Sequence, residues 1–563
     1  ALVPRDKSRF RLHKDHAVIL RPFILCVTVP APAPSSPCEK TMFRRKKDKG
    51  GDAAPIDVAL IGCGPGAMMF LHALKKSDRG KHLNVTCFER APSAGGVWRD
   101  VPSDDPGRSK PENVPLMYDD MWTNTPKELM EFYDYTFDEH FKKPTPSFLP
   151  RKDILDYILA RNSVNGALDG VKFNHTVLSV TYDSTASKFT VAVRDDASGT
   201  ESSSQYDKCI WAGGMHGIAE RPDDVMEVLA DYTGKVLHSI EAVENFKDDV
   251  KGKKIMLIGD SSSAEDLALR AVKLGAKHVY ICARSGEGDA SETKAWPKEK
   301  VTVIFGPPYK VQKGTSFKCQ AVYWSEKRQK FRRDDDEEPV KVKDIDTVVL
   351  CTGYDSNIGV LEESLQFDDE GEWEISKGWK MDNNALTISI GNPKPNKVLD
   401  VGSTCYPDVY RGLLISNPNM MFITETQDTM SPLFDLDVNA HLVLGYLTGE
   451  IEIPKEKDMI KGNQKQLEAE MQIPWMRMVM DTAYADEISE LPDGHWSENA
   501  DDERAVILNR MPMDLFARRL ARDMKTCKHP VSFGEWKSLS KEGEKFVDLM
   551  VAAHKTRTNL KKD

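Results

Sequence analysis

The feature that most constrains this chain is a glycine-rich turn between an apolar run and a helical pattern, within residues 56–99. The apolar run, 56–61, has the length and composition of a buried parallel strand. It is followed at once by Gly62-Cys63-Gly64-Pro65-Gly66-Ala67 and then by apolar residues at helical spacing, and a second apolar run occupies 85–88. This order predicts a βαβ unit that receives an anion at the N-terminus of its helix.

Each small residue of this turn has a physical role in such a unit. Gly62 permits the tight turn, Gly64 lets the backbone approach a pyrophosphate, and Ala67 lets the helix pack on the strand. Glu89, at the end of the second run, is placed to accept the two ribose hydroxyls of an adenosine, and its charge disfavours a 2′-phosphate. The turn therefore predicts a dinucleotide site. The alternative is a tight strand–helix connection that binds no ligand.

A second unit of the same kind follows later in the chain. An apolar run, 253–258, ends at Gly259-Asp260-Ser261-Ser262-Ser263-Ala264, and a helical pattern follows. The next predicted strand leads to Arg284, where the first unit has Glu89, and a cation there suits a 2′-phosphate. This difference predicts NADPH rather than NADH. Because Ser261 replaces the second glycine, a degenerate unit that binds nothing is the alternative.

Two further apolar runs bracket the second unit, and each ends in a glycine turn: Ala212-Gly213-Gly214 before it and Thr352-Gly353 after it. The bracket predicts an α/β fold with two Rossmann-like domains, one inserted into the other and joined to it by two crossing strands. Charged helical patterns near the end of the chain predict a C-terminal helical extension. The expected divisions are an N-terminal extension (1–53), the first domain in two parts (54–214 and 346–455), the inserted domain (215–345) and the helical region (456–563).

Several shorter elements are predicted from local patterns. Alternation of apolar and polar residues indicates a small antiparallel set at 171–173, 177–182 and 188–193. The charge run 332–338 is typical of a solvated hairpin tip. Helices are expected at 435–447 and 464–478.

Composition restricts the partners and the compartment. Asp and Glu number 88 against 77 Lys and Arg, a net charge of −11 that disfavours nucleic acid and anionic lipid as partners. The 10 cysteines are scattered with no Cys-x-x-Cys, which indicates reduced thiols, a reducing cytoplasmic compartment and no structural zinc or other metal. No apolar run is long enough for a membrane span.

The first fifty residues differ from the rest. A basic stretch, 5–14, precedes an interrupted apolar stretch, 17–29, and a Pro-rich stretch, 31–37. A targeting signal for an organelle is one interpretation. A disordered extension, with Met42 as a candidate start, is the favoured one.

Several motifs, in the same order, resemble those of class B flavin-dependent monooxygenases. The chain is similar over roughly residues 55–455 to the flavin-containing monooxygenase family, in particular to its bacterial trimethylamine-oxidising type. The segments that carry the resemblance are IGCGPGA, FERAPSAGGVWR, MWTNTPKELMEFYDYTFDEHFKKPTPSFLPRKDILDYI, GDSSSAEDLA, LCTGY and TQDTMSPLFDLDVNA.

The resemblance implies FAD at the first turn and NADPH at the second. The residues expected to contact FAD are Gly62, Gly64, Pro65, Gly66, Ala67, Glu89, Arg90, Gly96, Val97, Trp98 and Thr123, with Gln427 on the flavin's other side. Those expected to contact NADPH are Gly259, Ser261, Ser262, Ser263 and Arg284, with Thr352, Gly353 and Tyr354 nearby. Asn124 matches the family asparagine near the flavin ring and NADP, and is the one catalytic candidate, as a positioning amide. A turn asparagine before Pro126 is the alternative.

The chemistry implied is that of the cofactors. NADPH would reduce FAD, O2 would add at C4a, and the hydroperoxyflavin would oxygenate a soft nucleophile. Ala242 stands where Baeyer–Villiger enzymes have Trp, which counts against ketone oxygenation. Thr429-Met430-Ser431 stands where the amine-oxidising members have an aromatic pair, which weakens the case for trimethylamine. His216 is given no catalytic role.

Three functions fit these observations. The first is a monooxygenase that uses NADPH and O2 to oxygenate nitrogen or sulfur of a small metabolite. The second is a single-component flavin halogenase on the same fold, and the third is an NADPH oxidase or redox-responsive flavoprotein without oxygenation. The expected partners are a small-molecule substrate and O2, with a homodimer as the candidate assembly.

Overall fold

The fold is given by a computed structural model. It describes residues 55–76, 80–99, 117–118, 121, 123, 127, 130–132, 134–143, 145, 149–214, 217–242, 246–284, 296, 298–325, 330–334, 337–355, 358–367, 372–373, 399–400, 408–423, 432–449 and 451–470. The predictions for the N-terminal extension and for the chain beyond residue 470 lie outside the described residues, as do those for Asn124, His216, Gln427 and Thr429-Met430-Ser431.

The α-helices of the described residues are α1 (Pro65–Lys76), α2 (Phe137–Phe141), α3 (Arg151–Ser163), α4 (Asp223–Leu229), α5 (Phe246–Val250), α6 (Ser262–Lys273), α7 (Pro432–Leu447) and α8 (Glu456–Glu470). Short 3-10 turns lie at Gly96–Trp98, Ser239–Glu241 and Glu363–Leu365. None of the helices in the described part combines the length and apolar character needed to cross a bilayer.

The strands are β1 (Ile56–Ile61), β2 (Leu83–Glu89), β3 (Lys172–Phe173), β4 (His175–Asp183), β5 (Lys188–Asp195), β6 (Glu201–Tyr206), β7 (Lys208–Trp211), β8 (Ile218–Ala219), β9 (Lys235–His238), β10 (Lys254–Ile258), β11 (His278–Ala283), β12 (Val301–Phe305), β13 (Pro308–Gln312), β14 (Ser316–Cys319), β15 (Val322–Ser325), β16 (Lys330–Arg333), β17 (Val340–Val342), β18 (Thr347–Leu350), β19 (Tyr354–Asp355), β20 (Glu372–Trp373), β21 (Leu399–Asp400), β22 (Val409–Tyr410), β23 (Leu413–Leu414) and β24 (Met420–Phe422).

Two separate sheets with parallel cores organise the chain, which confirms the α/β class. The first has the order β22-β23-β24-β7-β1-β2-β3, and its strands from β24 to β3 pair in parallel. The second has the order β12-β11-β10-β18-β9, and all its pairs are parallel. In both, the strand before the glycine turn lies in the middle, where the strand order reverses, and ligands of open α/β sheets bind at such points.

Smaller sheets complete the fold. Antiparallel sets are formed by β4-β5-β6 and by β13-β14-β17, and two-stranded pairs by β15-β16, β19-β8 and β20-β21. On the first sheet, α1 is buried along most of its length and packs with α3 and α7 in one apolar core.

The strands that flank each glycine turn are as predicted, whereas sheet membership corrects two predictions and reveals one strand that was not predicted. β18, expected to open the return to the first domain, instead pairs with β10 and β9 in the second sheet, beyond the predicted boundary at 345. β3 pairs in parallel with β2 rather than joining the antiparallel set, whose third strand is β6. β6 was not predicted, because its sequence ESSSQY is exposed at five of six positions and has no apolar alternation.

Two further corrections concern the charge run and the late helices. Arg332 and Arg333 lie in β16, paired with Tyr323 and Val322, and so this part of the run is strand rather than a hairpin tip. α7 begins at Pro432, a residue favoured in the first turn of a helix, earlier than predicted. α8 likewise begins before the predicted 464.

A buried ionic cluster joins the helices that cover the first sheet. Arg161 of α3 makes two hydrogen bonds of 2.9 Å to the carboxylate of Asp437 in α7, and its Nε donates to Asp134 at 2.9 Å. Asp134 also pairs with Lys76 at 2.8 Å and with His72 at 3.3 Å. Burial alone would raise the pKa of Asp134, but Arg161, His72 and Lys76 hold it well below its usual value. The cluster fixes α7 against α1 and α3.

Candidate functional site

The first glycine turn is held closely against the end of a neighbouring strand. Gly62 has φ +92°, and a Cβ built there would lie 2.6 Å from the backbone oxygen of Ala212, which follows β7. The Gly62 N–H donates to the Phe88 carbonyl at 2.8 Å. Since L side chains rarely adopt this backbone conformation, only glycine fits the position without strain.

The second glycine of the turn faces open space and another glycine. Among the described residues, a Cβ on Gly64 would meet only Gly96, at 3.6 Å from its Cα. The Gly95 N–H donates to the Cys63 carbonyl at 2.9 Å, which places the 3-10 turn Gly96–Trp98 beside the start of α1. The first N–H groups of a helix have no intrahelical partner, and so this cradle fits a pyrophosphate. Pro65, Gly66 and Ala67 form the first turn of the helix, as predicted.

Glu89 lies at the carboxyl end of β2, beside the same turn. One oxygen of its carboxylate accepts the Cys63 N–H at 2.6 Å, and the other accepts the Ala91 N–H at 2.8 Å. A carboxylate has about four lone-pair sites, so acceptor capacity remains for ribose hydroxyls. Arg90, the next residue, is half-buried, and burial, partly opposed by Glu89, lowers the pKa of its guanidinium.

Arg151, which sequence reasoning missed, supports the 3-10 turn that contains Val97 and Trp98. Its buried guanidinium donates to the carbonyl of Trp98 and, at 3.0 Å, to that of Arg99. A cation at the start of α3 opposes the helix dipole, and this local conflict in Pro150-Arg151 is the signal that could have found it. The contact fixes the backbone that faces Gly64.

Thr123 is buried and ties the aromatic-rich segment to the chain before α3. Its N–H donates to the Leu149 carbonyl at 2.9 Å, and its Oγ1 accepts the Leu149 N–H at 3.2 Å. This pairing determines where the chain leaves toward Asn124, whose own position lies outside the described residues.

The second glycine turn repeats the first. Gly259 has φ +110°, and a Cβ there would lie 2.2 Å from the backbone oxygen of Cys351, which follows β18. The Gly259 N–H donates to the Cys282 carbonyl at 3.0 Å, and the Cys351 N–H donates to the Ile258 carbonyl at 2.8 Å. The glycine of each turn thus packs against the end of a neighbouring strand, β7 for the first turn and β18 for the second.

The serines and Arg284 lie at this same edge of the second sheet. Ser261 is the N-cap of α6 in an extended conformation, and its side chain makes no capping hydrogen bond, while Ser262 and Ser263 form the first helical residues. Arg284 is exposed and directly follows β11. Because the carboxyl ends of parallel strands meet at one edge, the cation and the helix N-terminus face the same ligand space, which fits a phosphorylated dinucleotide.

Gly353 and Tyr354 contact a buried histidine, His238, at the end of β9. His238 Nε2 lies 3.1 Å from the Gly353 carbonyl, and its Nδ1 accepts the Ile240 N–H at 3.3 Å, which defines a neutral ring. Burial, with a smaller effect of Arg221, lowers the pKa of His238 to about 4.

The same turn is held by two hydroxyl contacts. The Tyr354 hydroxyl lies 3.0 Å from Ser239 Oγ, and burial raises its pKa. Thr352 Oγ1 donates to the Glu220 carbonyl at 2.6 Å.

The described cysteines are free buried thiols, namely Cys63, Cys87, Cys209, Cys282, Cys319 and Cys351. Burial raises the pKa of Cys209 and of Cys351, as expected of inert core thiols. Within the described part of the chain, no cluster of His, Cys, Asp or Glu could hold a metal ion.

Comparison with known proteins relates part of the chain to flavin enzymes. Residues 56–300 match the model of the family described as flavin-binding monooxygenase-like. This part of the chain is similar to that family. The chain is 27% identical to trimethylamine monooxygenase of Pelagibacter ubique (strain HTCC1002) over 446 residues, which are 77% of this chain and 85% of that protein.

Solved structures share the fold of this flavin-binding monooxygenase-like chain. The crystal structure of Tmm from Pelagibacter sp. strain HTCC7211 matches with a TM-score of 0.62 at 24% identity, covering 82% of this chain and 90% of that one. S-allyl-L-cysteine S-oxygenase from Allium sativum matches with a TM-score of 0.56 at 19% identity, covering 90% of this chain and 99% of the other. The family match and the similarity to trimethylamine monooxygenase confirm the expectation of a flavoprotein monooxygenase with FAD and NADPH as cofactors.

Proposed function

We propose that this enzyme uses NADPH and O2 to oxygenate a nitrogen or sulfur atom of a small metabolite. The observation that carries the proposal is the pair of matching glycine turns with opposite charges beside them, Glu89 at the first and Arg284 at the second. A carboxylate suits free ribose hydroxyls, and a cation suits a 2′-phosphate. FAD therefore belongs at the first turn and NADPH at the second.

The two sheets then act as FAD and NADPH domains of Rossmann type. Gly62, Gly64 and the start of α1 bind the FAD pyrophosphate, while Glu89 binds its ribose. Gly96–Trp98, held by Arg151, lies along the flavin end of this site. The residues proposed for NADPH are Gly259, Ser261, Ser262, Ser263 and Arg284.

The protein's part in the reaction is to bind, orient and exclude water. When bound, FAD and NADPH would supply the redox chemistry that transfers one oxygen atom of O2 to the substrate. Asn124 would position the reacting groups through its side-chain amide. The neutral His238 keeps Gly353 and Tyr354 in place at the edge of the NADPH site without adding a charge.

Nitrogen is the first substrate class to test, because a relative is a trimethylamine monooxygenase. Sulfur is the second, since both are soft nucleophiles. The chain's Ala242 is fully buried in the core of the second sheet, on the 3-10 turn after His238, and so it presents no large ring toward the cofactor edge. This supports heteroatom oxygenation over ketone oxygenation.

The test supplies the flavin-loaded enzyme with NADPH and isotopically labelled O2, together with separate panels of tertiary amines, thioethers and a halide with an electron-rich acceptor. The expected result is one labelled oxygen atom in an N-oxide or S-oxide for each NADPH consumed. A halogenated acceptor would instead establish the halogenase function. Recovery of all reducing equivalents as hydrogen peroxide with every panel member would establish an oxidase and overturn the proposal.

A further inference from the structure

Tyr118 belongs by sequence to the first domain but lies in the core of the second. Its side chain is 7% exposed and packs with Ala242 and Phe246 and with the apolar face of α6. One residue earlier, the Met117 N–H donates to the Val97 carbonyl at 3.1 Å. Two adjacent residues thus join the 3-10 turn of the FAD site to the interior of the NADPH unit.

The ring of Tyr118 takes part in a cation–aromatic stack. The guanidinium of Arg270, in α6, lies 5.4 Å from the centroid of the Tyr118 ring and 5.5 Å from that of Phe246. Arg270 also donates to the Ala242 carbonyl, which fixes the position of its guanidinium. Because this cation–π contact is desolvated, it is a specific contact rather than general apolar packing.

The chain on the other side of Tyr118 returns to the same turn. The Tyr118 carbonyl accepts the Met121 N–H at 3.1 Å, and the Met121 carbonyl accepts the Arg151 N–H at 2.9 Å. Arg151 in turn donates to the carbonyls of Trp98 and Arg99. The ring of Tyr118 is therefore attached on both sides to the backbone that faces Gly64.

The position of Tyr118 also relates it to the edge of the NADPH site. Cys351 lies in the same buried apolar cluster as Tyr118. Cys351 closes the second glycine turn through its contact with Gly259. Movement of Tyr118 would therefore alter the relation between the two turns directly.

We propose that Tyr118 is a positioning residue for hydride transfer, whose buried ring holds the NADPH unit at a fixed distance from the flavin turn. The inference rests on the proposed function and deepens it. The step transfers a hydride from NADPH to FAD and leaves NADP+ and FADH−. Such transfer requires reacting atoms about 3–3.5 Å apart, and a misplacement of about 1 Å can cost about 100-fold in rate.

The experiment measures anaerobic reduction of the flavin-loaded enzyme by NADPH in a stopped-flow instrument. For Tyr118→Leu, the limiting reduction rate at saturating NADPH should fall at least about tenfold, while the dissociation constant of NADPH stays within about twofold. Tyr118→Phe should retain the wild-type rate, because it keeps the ring and loses only the hydroxyl. Arg270→Met, which removes the cation and keeps an apolar stem, should also slow reduction and provides a second variant if Tyr118→Leu does not fold.

Phe317→Leu is the matched control. Phe317 is fully buried in the second unit but in the other apolar cluster, with Tyr232 and Val342, and so it should lower the melting temperature without slowing reduction. Equal rates in wild type and Tyr118→Leu, or equal slowing in Tyr118→Leu and Phe317→Leu, would overturn the inference. An equal loss of the flavin reduction rate in Tyr118→Phe and in Tyr118→Leu would also overturn the inference. Absence of reduction in the wild-type enzyme would instead overturn the proposed function.

Discussion

The carboxylate of Glu89 accepts the backbone N–H of Cys63 at 2.6 Å, so the acid at the end of β2 is attached directly to the glycine turn at the end of β1. Its other oxygen accepts the Ala91 N–H. The carboxylate therefore orders the turn before any ribose is bound. Because Glu89 has this double role, we expect FAD binding to be more sensitive to its substitution than to that of any other single side chain of the site.

Glu89→Gln should weaken FAD binding about 10- to 100-fold, because hydrogen bonds to a charged group are worth about 1.5–3 kcal/mol and the new amide places a donor toward N–H groups. The measurement is a fluorescence titration of the apoprotein with FAD. Asp57→Asn serves as the control, since Asp57 lies near the start of β1, at the end of that strand away from the glycine turn, and should leave the dissociation constant unchanged. Equal losses in both variants would contradict the assignment.

The two glycines of the first turn should respond differently to alanine. Gly62→Ala should lower the melting temperature of the apoprotein, because φ +92° is unfavourable for alanine and its Cβ would lie 2.6 Å from the Ala212 oxygen. Gly64→Ala should leave the apoprotein stable, since among the described residues its Cβ would meet only Gly96, at 3.6 Å. It should nevertheless raise the FAD dissociation constant more than about tenfold by occupying the pyrophosphate cradle. An unchanged FAD dissociation constant in Gly64→Ala would show that the pyrophosphate does not bind at this turn.

Arg284→Ala should weaken NADPH binding far more than NADH binding, by about 10-fold or more, since only NADPH carries the 2′-phosphate that a guanidinium can bind in bidentate fashion. The measurement is the dissociation constant of each nucleotide on the flavin-loaded enzyme. Arg194→Ala, in β5 of the separate antiparallel sheet β4-β5-β6, should change neither. If Arg284→Ala weakens both nucleotides equally, the assignment of the 2′-phosphate is wrong.

His238 should make folding stability fall in mild acid. Its pKa is lowered from 6.5 to about 4 in the folded protein, so between these values the unfolded chain holds more protons. The contribution of the neutral His238 ring to the free energy of unfolding is fully present above pH 6.5 and is lost as the pH falls toward 4. His238→Gln should reduce the slope of unfolding free energy against pH in this window by about one proton. An unchanged slope in denaturant titrations would show that His238 is not the group responsible.

The features that the sequence predicts well are those determined by residues adjacent in the chain. The first turn with β1 and β2, and the second with β10 and β11, are encoded by apolar runs that end in glycine, and both were located correctly. The strand at 347–350 was recognised as a strand but assigned to the wrong sheet. Its sequence fits either sheet equally well, because any parallel strand that is buried on both faces consists of apolar residues.

What the sequence did not predict depends on contacts between distant residues. Arg151 and Tyr118 lie in segments whose local patterns predict only a helix start and an aromatic-rich stretch. Their roles depend on the carbonyl of Trp98 and on Arg270, respectively, which only the folded chain brings near. The exposed strand β6 was missed for the opposite reason, since it buries almost nothing and so leaves no pattern.

The most direct test of the central claim follows oxygen activation at the first turn with NADP+ retained at the second. The enzyme is reduced anaerobically with NADPH, mixed with O2 and monitored by rapid-scanning absorbance. The account predicts a flavin–oxygen adduct, absorbing near the short-wavelength maximum of oxidised flavin, that persists with NADP+ bound and decays faster in enzyme reduced by dithionite alone. Direct return to oxidised flavin, with stoichiometric hydrogen peroxide and no effect of NADP+, would contradict it.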